Sequence, residues 1–197
     1  GAVIWAIVDW PKINQALQDY PTGKDSKKLT PKQRDFWFRR IEELKKKGLL
    51  NFTQAFSSNK VIDKRGINFA IKGGIGKCLN FCEVAFRVDL CDIQSLGSSR
   101  LDIAQVLLDG GLKAPAEWAN QQTIIKGDEK ELIISLASIV AKVSRDREML
   151  KLNEKYPQYC LDCHKGYGTR LHYQKIEEFG LIIIHRQTYL KSIAKRT

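Results

Sequence analysis

The stretch from Glu131 to Asn153 reads as one long helix, and its first half, Leu132 to Val143, is apolar nearly all the way round. A surface helix needs a single apolar stripe, whereas a helix without a polar face must be covered on several sides. That demand constrains the fold more than any other feature. Other elements have to be layered around the helix, and a chain of 197 residues has material enough for one such core. Past the apolar half the pattern changes to Ser144-Arg145-Asp146-Arg147, where charged side chains take over.

The covering elements can be read along the chain. Ala2 to Val8 is a continuous apolar run closed by Asp9-Trp10-Pro11, as expected of a buried strand. A loop with Pro21-Thr22-Gly23 leads into Asp25-Ser26-Lys27-Lys28-Leu29. Thr30 is a good N-cap, Pro31 suits the first helical position and Gln33 completes a capping box, so a helix is expected to about Lys47, closed by Gly48. Phe36, Trp37, Ile41 and Leu44 form its apolar stripe. Leu49 to Ser57 reads as a strand, and Gly66 to about Cys82 as a second helix weakened by Gly73, Gly74 and Gly76. The stretch from Asp89 to Ser99 has no clear period. Leu101 to Leu108 reads as a helix-to-strand passage with Asp109-Gly110 at its end, and Thr123 to Ile125 as a short strand. Thr169 caps a last helix to about Phe179, which Gly180 terminates. Strands mixed with helices predict an α/β layered domain. We expect one domain over residues 1–197, in which about 150–197 is a helical and loop extension.

Charge narrows the partners. The balance of 33 Lys and Arg against 22 Asp and Glu, a formal +11, favours polyanions, because each cation placed on a phosphate releases condensed counterions. A basic surface that only keeps the protein soluble is the plainer alternative. No apolar run reaches the ~18 residues of a membrane span, and no secretory signal is visible. The five cysteines are an odd number without an extracellular cue, which predicts reduced thiols and a cytoplasmic protein.

Several short strings carry chemistry. Asp109 follows Gln105-Val106-Leu107-Leu108 and precedes two glycines; a carboxylate at the end of a buried strand can be aimed while the backbone stays fixed, as Mg²⁺ requires of its oxygen ligands. The same Asp-Gly pair is also a common turn. Asp128, 19 positions later in Lys126-Gly127-Asp128-Glu129-Lys130, is either a second carboxylate or the cap of the helix that follows. In His164-Lys165-Gly166-Tyr167-Gly168-Thr169, flanking glycines hold a tyrosine on a constrained loop that a sugar-phosphate backbone could approach closely; a tyrosine closing a loop is the alternative. Ser26 and Lys27 stand before a helix start as a hydroxyl and an ammonium suited to phosphate. Lysine groups such as Lys27-Lys28 and Lys45 to Lys47 are more often just solvated helix faces.

Taken in order and spacing, Leu107-Leu108-Asp109-Gly110, Lys126-Gly127-Asp128, Ser135 to Arg147, His164 to Thr169 and Ile184 to Tyr189 resemble the type 2 ribonuclease H family (ribonuclease HII), most closely its bacterial members. The resemblance runs from Gly1 to Tyr189, with a divergent middle between about Ala85 and Gln105. It implies a ribonuclease H-like mixed sheet flanked by helices, with a helical C-terminal region. It implies Asp109 and Asp128 as catalytic metal ligands for Mn²⁺ or Mg²⁺, the third and fourth acidic residues of the family's site. It places Tyr167 at the junction of ribose and deoxyribose, where the 2′-hydroxyl alone separates RNA from DNA. Ser26, Lys27, Lys142, Arg145, His185 and Arg186 become nucleic-acid contacts, and Asp146 a structural ion-pair residue.

Family members open with Asp-Glu-Ala-Gly-Arg-Gly, which this chain lacks. The expectation is therefore a sheet missing its first strand, two acidic ligands absent, and a fragment with little or no activity whose parent is active. Asp9 is a poor substitute, because Trp10 and Pro11 follow where a glutamate is needed. The activity implied is an endoribonuclease, a monomer with no membrane partner. It would cleave the RNA strand of RNA–DNA hybrids, and 5′ of ribonucleotides embedded in duplex DNA, by two-metal-ion hydrolysis. A non-catalytic nucleic-acid-binding member of the same fold is the alternative. Cys160-Leu161-Asp162-Cys163-His164 fits the pattern of covalent haem attachment but lacks an export signal, and Met149 is the sole methionine for a sulfur ligand. Lys72-Gly73-Gly74-Ile75-Gly76-Lys77 is out of register for a phosphate loop.

Overall fold

A computed structural model describes residues 2–5, 10–21, 26, 28–89 and 105–190. Asp9, Asp25, Lys27, the stretch expected to lack a period (beyond Asp89) and most of the Leu101 to Leu108 passage lie outside these residues. The chain divides into two compact units, one of Gly1–Phe56 with Ile71–Lys142, the other of Ser57–Ala70 with Val143–Thr197.

In the first unit, strand β1 (Ala2–Trp5) is followed by helix α1 (Trp10–Ala16), which the sequence pattern does not announce; its Ile13 is fully buried. Helix α2 (Pro31–Lys46) begins with the expected capping box: Gln33 N–H donates to Thr30 Oγ1 (3.3 Å) and Thr30 N–H donates to Gln33 Oε1 (2.9 Å). Its buried stripe is Arg34, Trp37, Phe38, Ile41 and Leu44. Phe36, expected in that stripe, is 56% exposed, since it falls between the rows spaced three and four apart. Gly48 follows at φ 70°, the left-handed position that suits glycine after a helix.

Strand β2 (Asn51–Gln54) is shorter than the expected Leu49–Ser57 and pairs antiparallel with β1, Ala2 opposite Gln54 and Trp5 opposite Asn51. Helix α3 (Asn59–Arg65) precedes helix α4 (Ile67–Asp89), which runs straight through the three glycines. A Cβ would meet Pro115 at 3.5 Å from Gly76 and Ala55 at 3.9 Å from Gly74, both ordinary contact distances, and would meet open space at Gly73. The propensity cost of glycine does not break the helix here.

Strand β3 (Val106–Asp109) pairs parallel with β4 (Gln121–Ile124), so both antiparallel and parallel pairing occur among flanking helices. The connection between β3 and β4 tucks Leu112, Ala114 and Trp118 against Leu79, Ile75 and Leu108. The Gln121 side chain pins it, accepting from Ala114 N–H (2.8 Å) and donating to the Trp118 carbonyl (3.0 Å). A short helix α5 (Gly127–Lys130) leads into the long helix α6 (Leu132–Lys155). On α6 the buried positions are Ile134, Ser135, Leu136, Ile139, Val140, Val143 and Ser144. Ser135 Oγ bonds Tyr20 Oη at 2.6 Å and Ser138 Oγ bonds Ser26 Oγ at 2.7 Å, which satisfies hydroxyls on an otherwise apolar surface.

The second unit holds α3, the end of α6, helix α7 (Leu161–His164) and helix α8 (Arg170–Phe179). Thr169 caps α8 and Gly180 closes it at φ 77°, as the sequence predicts. Tyr159, Leu161, Ile176 and Leu190 form its core, with Leu152, Tyr156, Ile182 and Ile184 packed on them. Asp63 on α3 accepts from Gln187 N–H and Thr188 N–H, both at 3.0 Å, and Asn59 donates to the carbonyls of Ile183 and His185. Among the described residues no helix is long and apolar enough to cross a membrane.

Two substitutions in α2 separate packing from capping. Ile41, with no exposed surface, should lose about 2–5 kcal/mol of stability as Ile41→Ala. Thr30→Ala should lose only about 1 kcal/mol. Urea denaturation of both proteins checks the order; equal losses would mean that the α2 face is not packed as described.

Candidate functional site

In the first unit three pieces of sequence meet. Asp109 ends β3 opposite Ile124 of the neighbouring strand, and Gly110 continues the ladder by donating its N–H to the Ile124 carbonyl (3.0 Å). The carboxylate is thus carried on paired backbone. Asp109 Oδ1 accepts the Gly127 N–H at 2.9 Å, which ties the strand end to the peptide beside Asp128. Lys126 makes that meeting possible with a left-handed φ of 56°, an uncommon conformation for a residue with a side chain. Gly127 is buried, and a Cβ there would lie 2.7 Å from Ile134 Cδ1 and 3.5 Å from Asp109 Oδ1. Any side chain would crowd this approach.

The third piece is the segment before α2. Lys28 Nζ donates to Glu129 Oε1 at 2.6 Å, and Ser26 is 2% exposed against Ser138. Arg34, itself buried, donates to the carbonyls of Ser26 and Leu29 and holds the segment from within. Lys142 lies one helical turn beyond Ser138 on α6 and is half-buried. The expected pieces Ser26, Asp109, Asp128 and Lys142 therefore belong to elements of one unit, while Lys27 lies outside the described residues. Lys28 was readable only as a solvated lysine and Glu129 only as a first-turn helix charge, because nothing local announces a pair 101 positions apart.

The donor chemistry here suits a hard cation in part. Asp109 and Asp128 supply carboxylate oxygens, the ligands that Mg²⁺ and Mn²⁺ take. Among the described residues no three His, Cys, Asp or Glu side chains gather tightly enough to hold a metal alone. Two carboxylates fit as a portion of a divalent site rather than a finished one.

In the second unit Tyr167, the expected sugar contact, is 49% exposed. The Arg145 guanidinium lies 4.7 Å from the centre of its ring, a cation–π contact. Lys165 (φ 50°) and Gly166 (φ 73°) bend the loop sharply, and a Cβ on Gly168 would stand 2.7 Å from Tyr173 Oη. Arg186 is half-buried with its guanidinium 5.6 Å from the Tyr189 ring centre. His185 lies inside, 5% exposed, its ring against Tyr159.

His185 is one of three histidines packed together. His164 and His172 stack at 4.2 Å, and His172 and His185 are 5.4 Å apart. His164 uses both ring nitrogens, Nε2 on the Tyr159 carbonyl and Nδ1 accepting the Gly166 N–H, so it offers no haem ligand. Burial lowers the pKa of His172, and it pushes His185 down to about 4, with the neighbouring His172 adding to the shift. The sequence offers no spacing signal for His172; only the folded chain brings it to the others.

The chain is similar to known proteins over nearly its whole length. The family model described as Ribonuclease HII matches residues 1–191. Among curated relatives, the ribonuclease HII of Caldicellulosiruptor bescii is 38% identical over 86% of this chain and 72% of its own length. That of Fusobacterium nucleatum is 37% identical over 98% of this chain and 80% of its own. The crystal structure of ribonuclease H2 from Pyrococcus horikoshii superposes with a TM-score of 0.61 at 25% identity, covering 99% of this chain and 97% of that one. The ribonuclease HII of Archaeoglobus fulgidus, solved in complex with PCNA, has the same TM-score at 20% identity over 98% and 87% of the two chains, and bears on the fold alone.

The histidine group predicts a pH response. Both shifted rings bind protons less readily folded than unfolded, so between pH 6.5 and about 4 the unfolded chain takes up more protons. Stability should be unaffected by these groups above 6.5 and decline as pH falls through that window. Imidazole NMR titration should find His185 neutral until near the bottom of it; a midpoint at the ordinary histidine value would show that the ring is not buried.

Proposed function

The chain belongs to the ribonuclease HII family, and from that premise we propose that it is an endoribonuclease that cleaves the RNA strand of RNA–DNA hybrids and cuts 5′ of ribonucleotides embedded in duplex DNA. The reading extends to a cytoplasmic monomer working by two-metal-ion hydrolysis. The observation that supports it best is the bond from Gly127 N–H to the Asp109 carboxylate, which brings the strand-end acid and the Lys-Gly-Asp element together.

Asp109 and Asp128 would hold the Mn²⁺ or Mg²⁺ ions. When bound, such ions polarise the scissile phosphate and lower the pKa of an attacking water. The protein's own contribution is placement. The Gly127 N–H fixes one oxygen of Asp109 and so restricts the direction in which the other points. Cations would offset the charge of the phosphates: Lys142 in the first unit and Arg145 and Arg186 in the second are half-buried, with stems held in the protein. Lys27 is assigned to the same role. Tyr167 presents a half-exposed ring on a loop whose glycines permit close approach by a sugar. Ser26 and His185 are buried, so their part is to hold the segments that carry these contacts.

Asp109→Asn separates this function from that of a binder without chemistry. With a duplex containing one ribonucleotide and Mn²⁺, the substitution should lower cleavage by about a hundredfold or more, several kcal/mol of lost charge stabilisation. Hybrid affinity measured by fluorescence anisotropy should hardly change. Cleavage that falls with Asn at 109 supports the nuclease; binding without cleavage by either protein is the outcome shared by the non-catalytic member of the fold and by the inactive fragment expected from the sequence.

A further inference from the structure

The loop that carries Tyr167 is held by histidine rings through its main chain. The Tyr167 carbonyl, 3.0 Å from His172 Nδ1, accepts a hydrogen from it, while the Tyr167 N–H donates to the His164 carbonyl at 2.9 Å. The preceding Gly166 N–H donates to His164 Nδ1 at 3.1 Å. The 165–166 and 167–168 peptides are thus gripped by two rings that stack on each other at 4.2 Å and 18°, and the 166–167 peptide between them is held by the His164 carbonyl. The grip is needed, because Lys165 and Gly166 both adopt left-handed backbone that a loose loop would leave.

His172 does more than fill space. Its Nδ1 must carry the proton to meet a carbonyl, which leaves Nε2 a bare acceptor, buried and without a partner among the described residues. An apolar ring would occupy the same volume without that penalty. What the imidazole adds is the bond to Tyr167. Neither histidine bonds the phenol ring, which keeps one face on Arg145 and remains half-exposed.

We propose that His172, backed by His164, is a positioning residue: by clamping the peptide of Tyr167 it fixes how that ring meets a ribose, and so sets the preference for ribonucleotide-containing over all-deoxy duplex. The proposal rests on the reading that Tyr167 contacts the sugar.

The test measures binding, so it does not depend on turnover. Fluorescence anisotropy in Ca²⁺ gives Kd for one duplex with and without a single ribonucleotide, and the ratio is the preference. His172→Phe, which keeps a ring and loses the donor, should lower that ratio by about fivefold, the scale of one lost hydrogen bond. His172→Leu should behave alike and serves if the phenylalanine variant shows no unfolding transition. His172→Asn, whose amide nitrogen stands near the place of Nδ1, should keep the ratio within about twofold. In a Tyr167→Ala background His172→Phe should have no further effect, since the two act through one contact. If Tyr167→Ala leaves the ratio intact, the sugar-contact reading fails and takes the proposal with it. If Tyr167→Ala lowers the ratio but the donor-free variants do not, or act additively with it, the proposal alone is overturned.

Discussion

Two hydroxyls on an apolar helix face organise the first unit. Ser135 and Ser138 lie three apart on α6, among Ile134, Leu136, Ile139 and Val140, where an unpaired hydroxyl would be costly. Their partners are Tyr20 and Ser26. Apolar contacts tolerate sliding, but hydrogen bonds do not, so these pairs set the register between the segment before α2 and the long helix. The buried Arg34 then braces the same segment through the carbonyls of Ser26 and Leu29. Core packing and site placement are consequences of one requirement, that a buried polar group must be satisfied.

From that register the meeting of Asp109 with the Gly127 peptide follows. The start of α6 brings α5 with it, and α5 brings Gly127, whose N–H meets Asp109. The strained Lys126 is the hinge of this arrangement. Strain at such a point persists only when its surroundings over-determine it. Here the ladder of β3 and β4, the bond to Asp109 and the Lys28–Glu129 pair do so from different directions. The exposed pair contributes little energy by itself, and its value is geometric.

What could be read in the sequence was local. The Thr30-Pro31-Gln33 start, the Gly48 stop, the Thr169 and Gly180 bounds of α8 and the strand-end Asp109 all depend on neighbours within a few positions, and all are found as read. The resemblance in short strings named the family that the comparisons support. Departures share a cause as well. Helix α1 and helix α3 are only seven residues long, too short for a period to show. The glycines of α4 read as weakness, yet the helix continues through them. His172, Lys28 and Lys126 owe their roles to partners or backbone angles that no string of neighbours encodes. His185, expected as a nucleic-acid contact, has a buried ring.

The discontinuity of the second unit bears on how the chain matures on the ribosome. Residues 57–70 emerge early, yet Asp63 and Asn59 wait for acceptors and donors some 124 positions later, at 183–188. Closing so long a loop is entropically slow, so the first unit can condense while α3 stays undocked. Exposed Val61 on this helix, with Ile67 and Phe69 just after it, then face solvent during synthesis, a natural foothold for a chaperone. Assembly of the tyrosine-bearing lobe is thereby deferred until residues 183–188 have been made and have left the exit tunnel.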